Sequence, residues 1–193
     1  MSMGVDMPRT PGLRRDAQAN VEKLHAAALA VFSRKGLSAP LDDIAREAGV
    51  SIGTLYNRMG SREALIDAVV PAVAGEKLKA LKEQTLSRTS PRARLETFIS
   101  EMIDLQLSDP VLNDAMLRLF PDATALINAC ERSTALGKEL VDEAHAAGVL
   151  SRDFTADDLM AVLWMAGTAS KDPAAPEGWR RVVDRSIASA WIA

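Results

Sequence analysis

Cysteine is almost absent from this sequence of 193 residues: Cys130 stands alone, so no disulfide can close within the chain, and a reducing cytoplasm is the expected compartment. No run of about 18 apolar residues occurs, which excludes a membrane-spanning helix. The first residues, MSMGVDMPRTPGLRR, lack the apolar centre of a signal peptide. Aromatics make up only 4% of the chain and histidine occurs twice. His25 has no second histidine, cysteine or carboxylate at metal-ligand spacing, and His145, near the end of a long helical run, suits the dipole of that helix. Gly-rich phosphate loops, HExxH, CxxC and G-x-S-x-G are all missing. Two carboxylate sets remain, Glu101 with Asp104 and Asp157 with Asp158, and neither has a histidine partner or a neighbouring nucleophile. They read as solvated faces or caps. The expectation is a protein that is not an enzyme and carries no metal or cofactor.

Alanine, leucine and valine are abundant and β-branched runs are few, a composition for helices packed on helices. The net charge is −3, but it is unevenly spread: Lys and Arg against Asp and Glu number 9 against 6 in residues 1–62 and 14 against 20 in residues 63–193. The positive segment contains the run LDDIAREAGVSIGTLYNRMGSREA, from Leu41 to Ala64. Leu41, Ile44, Ala45 and Ala48 fall at i, i+3, i+4 and i+7, the stripe of a two-turn amphipathic helix. Gly49 stops it, and Ser51 offers an oxygen to the free amides of a second helix with Ile52, Leu55, Tyr56 and Met59 at the same spacing. Two short helices joined by such a turn form a helix-turn-helix. The outer face of the second helix carries Gly53, Thr54, Asn57 and Arg58. Glycine permits close backbone approach, and the other three can reach phosphates or base edges in a major groove. Ser61 caps a further helix whose first turn holds Arg62, a cation where the dipole prefers anions, so an external phosphate is its expected partner.

The run DDIAREAGVSIGTLYNRMGSREAL, preceded by AAALAVFSRKGLSAP, resembles the DNA-binding segment of the TetR family of transcriptional regulators over about Val21 to Val70. The chain departs from the usual family pattern with Met59 where a Phe is common, Arg62 where a Lys is common and Arg58 where a His is frequent. The resemblance implies that Thr54, Tyr56 and Arg62 contact phosphates while Gly53, Asn57 and Arg58 face the groove floor or its rim. It also implies a homodimer on a palindromic double-stranded operator, and a small molecule that releases the DNA.

The remaining punctuation divides the chain into three segments: a flexible arm over 1–14, a DNA-binding domain over 15–70, and a ligand-binding and dimerisation domain over 71–193. Arg9, Arg14 and Arg15 in the arm can lie along phosphates or be merely solvated. A first helix runs from about Arg15 to Lys35 and ends at Gly36. The helix from Ser61 continues to about Leu86, with a kink or break expected near Asp67 to Pro71 because proline removes a backbone hydrogen bond. Ser90-Pro91, Asp109-Pro110 and Pro121-Asp122 each open a helix, the second running through Leu119, and Thr155 to Asp158 resembles a capping box. The fold class is thus all-α, an N-terminal three-helix helix-turn-helix domain followed by a C-terminal helical bundle. Phe98, Met102, Met116, Phe120 and Trp164 suit a pliable, mostly apolar effector pocket, although ordinary helical core explains them as well. Leu159, Leu163, Gly167 and Ser170, with Val183, Ile187, Ala190 and Trp191, are the expected dimer face. An α-helical enzyme or scaffold with a merely structural helix-turn-helix, or a DNA-binding protein without an effector, are the rival readings.

Overall fold

The computed structural model describes residues 11–192, with side chains from Gln18 onward. Among these residues there are nine α-helices: α1 (Pro11–Lys35), α2 (Leu41–Ala48), α3 (Ile52–Met59), α4 (Arg62–Leu86), α5 (Pro91–Ser108), α6 (Pro110–Met116), α7 (Thr124–Ala146), α8 (Ala156–Lys171) and α9 (Trp179–Ser189). The only pairing of extended backbone among them is a bridge between Leu150 and Trp191. The all-α fold class holds. The first helix starts at Pro11, earlier than Arg15, so the end of the supposed arm is helical. Arg9 lies outside the described residues, as do the side chains of Arg14 and Arg15.

Helix boundaries follow local chemistry. Ser61 and Ser90 accept hydrogen bonds from the amides of Ala64 and Ala93, at 3.1 and 3.2 Å. Thr155 and Asp158 form a reciprocal capping box, Asp158 serving in place of the usual glutamate. Asp109 accepts from the amides of Val111 and Leu112 and starts α6. That helix ends at Met116, before Leu119, because Arg118 takes a left-handed φ of 54° and sends the Leu119 amide back to the Asp114 carbonyl.

Pro71 does not break α4, which is continuous to Leu86. A proline removes one helical hydrogen bond, whereas Leu65, Ile66, Val69, Val70, Ala74, Leu78 and Leu81 bury a face along the whole helix. That face packs on α1, α5 and α7, so tertiary contact outweighs the local loss. Helix α5 lies at the centre of the bundle against α4, α7 and α8. Its Phe98 is 1% exposed and packs against Gly137 of α7, where an added Cβ would stand 3.0 Å from the Phe98 ring. The glycine is what allows α5 and α7 to approach this closely. Burying one such aromatic side chain contributes roughly 1.5–3 kcal/mol.

The expected dimer face is mostly an internal one. Leu159, Leu163, Val183 and Ala190 are buried within the chain, and Gly167 meets Gln106 and Asn113. Periodicity locates the apolar stripe of a helix but not which neighbour it covers: α5 has taken that of α8, and α9 packs on α8. The large apolar residues that α8 and α9 leave exposed are Trp164, Met165 and Val182.

Candidate nucleic-acid interface

Helices α2 and α3 are joined through Gly49, whose φ of 69° and ψ of 32° belong to the left-handed region that a side chain disfavours. The amides of Gly49 and Val50 return to carbonyls of the last turn of α2 and set the corner. Ser51 Oγ then accepts from the Thr54 amide at 3.1 Å and lies 2.9 Å from the Thr54 hydroxyl. Leu55 anchors α3 with no exposed surface, in the same hydrophobic core as Ile44 of α2 and Phe32 of α1, both fully buried. Ion pairs Arg34–Glu47 and Lys35–Asp43 tie α1 to α2, and Asp43 also holds Arg46. The Lys35 ammonium, hydrogen-bonded to the Asp43 carboxyl, holds it below its ordinary range; desolvation opposes the shift and the Arg46 guanidinium adds to it.

This scaffold turns Gly53, Tyr56, Asn57 and Arg58 outward, with Thr54 half-buried at the same rim. Tyr56 is 49% exposed although it shares the apolar spacing. An added Cβ at Gly53 would meet only Ser51 Oγ, at 3.9 Å, so the backbone is open to approach from outside. Arg58 takes no carboxylate among the described residues, in contrast to Arg34, Lys35 and Arg46. Five of the six expected DNA-facing residues therefore share one surface.

Arg62 is different. Its Nη1 donates to the carbonyls of Leu37 and Ala39, at 2.8 and 2.7 Å, and its guanidinium lies 5.9 Å from the centre of the Phe120 ring. Within the chain, two backbone carbonyls of the α1–α2 loop thus engage the cation at the start of α4. Arg62→Ala should consequently lower stability by about 2 kcal/mol, because hydrogen bonds from a charged donor are worth roughly 1.5–3 kcal/mol each and the site is partly open to water. Urea denaturation measures this, and an unchanged midpoint would return Arg62 to the surface role.

The helix-turn-helix is joined to the bundle by contacts that sequence reasoning missed. The Asp67 carboxylate of α4 accepts from the amides of Ala125 and Leu126, both at 3.1 Å, and caps α7 from outside. Asp114 of α6, 1% exposed, accepts from the Leu37 amide at 2.6 Å and pairs with Lys171 of α8. These partners lie 57 to 77 residues apart, where no local pattern reports them.

The five expected pocket residues do not converge. Phe98 and Met102 are each 1% exposed within packed core, Met116 is half-buried, Phe120 lies under Arg62, and Trp164 is 56% exposed on the outside of α8. Hydrophobicity marks core, seam and surface alike, and these five residues are spread over all three. Open space lies instead between α4 and α7, a cleft of about 460 Å³, and between α8 and α9, a cleft of about 650 Å³. Cys130 is buried, and desolvation pushes its thiol up to about 11, so it stays protonated at neutral pH as a small core residue. No group of metal-ligating side chains occurs among the described residues, and no helix there is long and apolar enough to cross a membrane.

Residues 24–69 match the bacterial regulatory proteins of the tetR family, and residues 90–186 match the C-terminal domain of SbtR-like transcriptional regulators. No curated protein matches the chain. Among solved structures, the TetR transcriptional regulator SCO0520 of Streptomyces coelicolor is 30% identical over 88% of this chain and 97% of its own, with a TM-score of 0.47. The ketosteroid transcriptional regulator KstR2 of Mycobacterium tuberculosis is 20% identical over 89% and 92%, with a TM-score of 0.55. The transcriptional regulator FadR of Bacillus subtilis, solved with stearoyl-CoA, is 15% identical over 85% and 96%, with a TM-score of 0.56. A capped reading helix on a three-helix scaffold and two matches that together span both parts of the chain lead to one conclusion: this protein belongs to the TetR family of DNA-binding transcriptional regulators.

Proposed function

We propose that the protein is a repressor that binds a palindromic operator as a homodimer in the cytoplasm and leaves it when a small molecule occupies the C-terminal bundle. The observation that carries the DNA part is the outer face of α3, where Gly53, Tyr56, Asn57 and Arg58 are exposed on a helix held by the Ser51 cap and the buried Leu55. Thr54 at its N-terminal turn and Tyr56 and Arg58 beside the groove serve phosphates or rim contacts, and Asn57 is the first candidate for a base edge. The DNA-binding part comprises residues 15–70 and the effector and dimer part residues 71–193, with α4 crossing from one to the other. Asp67, Asp114 and the Arg62–Phe120 contact lie on the route by which a change in the bundle reaches α3. Control by a small molecule is supported by structures of the same fold solved with stearoyl-CoA and with resorcinol.

The test is a binding titration on DNA fragments selected by the purified protein. Asn57→Ala should change which sequence is preferred, a lost base contact costing roughly 1–3 kcal/mol. Arg58→Ala should weaken binding to all sequences and flatten the logarithmic salt slope by about one unit. If both variants keep the affinity, preference and salt slope of the parent, α3 is not the reading helix.

A further inference from the structure

The cleft between α4 and α7 has a composition unlike the rest of the surface. Its floor is apolar, formed by Pro71, Leu78, Ala129 and Leu136, and its volume of about 460 Å³ falls in the range of about 300–1,000 Å³ typical of small-molecule sites. Lys79 and Lys82 from α4 and Arg132 from α7 stand at its edge against a single acid, Glu76. Among the described residues none of these three cations pairs with a carboxylate, whereas Lys77, Arg92, Arg94 and Lys171 on neighbouring surfaces all do.

Two further features point to an occupant. Ser133 lines the cleft and is only 6% exposed, yet its Oγ has no hydrogen-bond partner, a costly arrangement unless something supplies one. Gly75, in the middle of α4, would place a Cβ in open space with nothing within 4 Å. Glycine in a helix interior costs about 1 kcal/mol relative to alanine. No close packing accounts for it here, but it leaves the cleft open.

We propose that this cleft binds a small anionic amphiphile, a carboxylate or phosphate monoester whose head meets Lys79, Lys82 and Arg132 and whose apolar tail covers the floor beside Pro71 and Gly75. The head also gives the Ser133 hydroxyl an acceptor. The cleft follows the α4–α7 seam one turn beyond Asp67, whose carboxylate caps α7, and α4 begins with the arginine that holds the α1–α2 loop. An occupant that changes the α4–α7 spacing thus acts on the helix that carries the reading head, a consequence that rests on the regulatory reading above. The binding itself does not.

The experiment is calorimetric titration of the whole protein, without DNA, with decanoate, decyl phosphate and 1-decanol. At least one of the two anions should bind, at least tenfold more tightly than the alcohol, and the better anion identifies the head group. Lys79→Gln with Arg132→Gln should weaken that anion by about tenfold or more, as expected when a charged contact worth roughly 1.4 kcal/mol is lost. Gly75→Leu, which favours the helix and fills the space, should abolish binding. Failure of both anions to bind, equal binding of 1-decanol, or undiminished binding by the correctly folded Gly75→Leu protein overturns the proposal. Protein that binds the anion but retains no DNA fragment would instead remove the regulatory reading and leave the site standing.

Discussion

Trp164→Asp should convert the protein to monomers and lower operator affinity by about 100-fold or more. In the isolated chain Trp164 is 56% exposed, Met165 45% and Val182 53%, and together with the open groove between α8 and α9 they form an apolar surface that nothing in the chain covers. Replacing an exposed side chain costs a monomer little, within about 0.5 kcal/mol. In a dimer the same position is desolvated, and an aspartate there carries an unpaired charge into the interface. Operator binding suffers through linkage: two half-sites held together gain roughly 10²–10⁴ over one, and a monomer forfeits that factor. Sedimentation velocity and a titration on the selected DNA read the two effects. A tight dimer in the variant would place the interface elsewhere, and the buried residues Leu159, Leu163, Val183 and Ala190 would not rescue it, because they already belong to the chain's own core.

Asp114→Ala should reduce stability by roughly 2–3 kcal/mol, with a fall in Tm of about 4–12 °C for a chain of this size. The carboxylate is 1% exposed and has two partners, the Leu37 amide and the Lys171 ammonium. Removing it orphans an amide beside the fully buried Leu37 side chain, whereas Lys171, 39% exposed, regains water, so the amide accounts for most of the cost. Asp114→Asn should lose less, since its side-chain oxygen can still accept from Leu37. Lys171→Met in the Asp114→Ala background should add little, and a double-mutant cycle separates the ion pair from the amide. The expectation fails if Asp114→Ala unfolds at the parent's temperature. A second readout is the effector response: with α6 released from the α1–α2 loop, DNA affinity should depend less on what the bundle binds.

The local features were legible in the residues. Capping serines, prolines at helix starts, Gly49 at the corner and the apolar spacing of α2 and α3 are near-neighbour effects, each settled within about one turn of chain. For that reason the helix order, the helix-turn-helix and the outward residues Gly53, Asn57 and Arg58 followed from sequence alone. Pro71 is the instructive exception among local signals, since a proline's lost hydrogen bond is a small energy beside the buried face of a 25-residue helix.

The tertiary structure decided everything that depends on which surface an apolar or charged side chain meets. Met102, Phe120 and Trp164 carry similar hydrophobic signals, yet one is core, one is stacked under Arg62 and one faces outward. Arg62 looked like a free cation because its acceptors are carbonyls 23 and 25 residues earlier, and carbonyls leave no trace in a sequence. Likewise the unpaired cations of the α4–α7 cleft meet only when two helices separated by more than 35 residues lie side by side. Periodicity and capping are properties of one segment, whereas burial and pairing are properties of two, and only the folded chain brings the second segment into place.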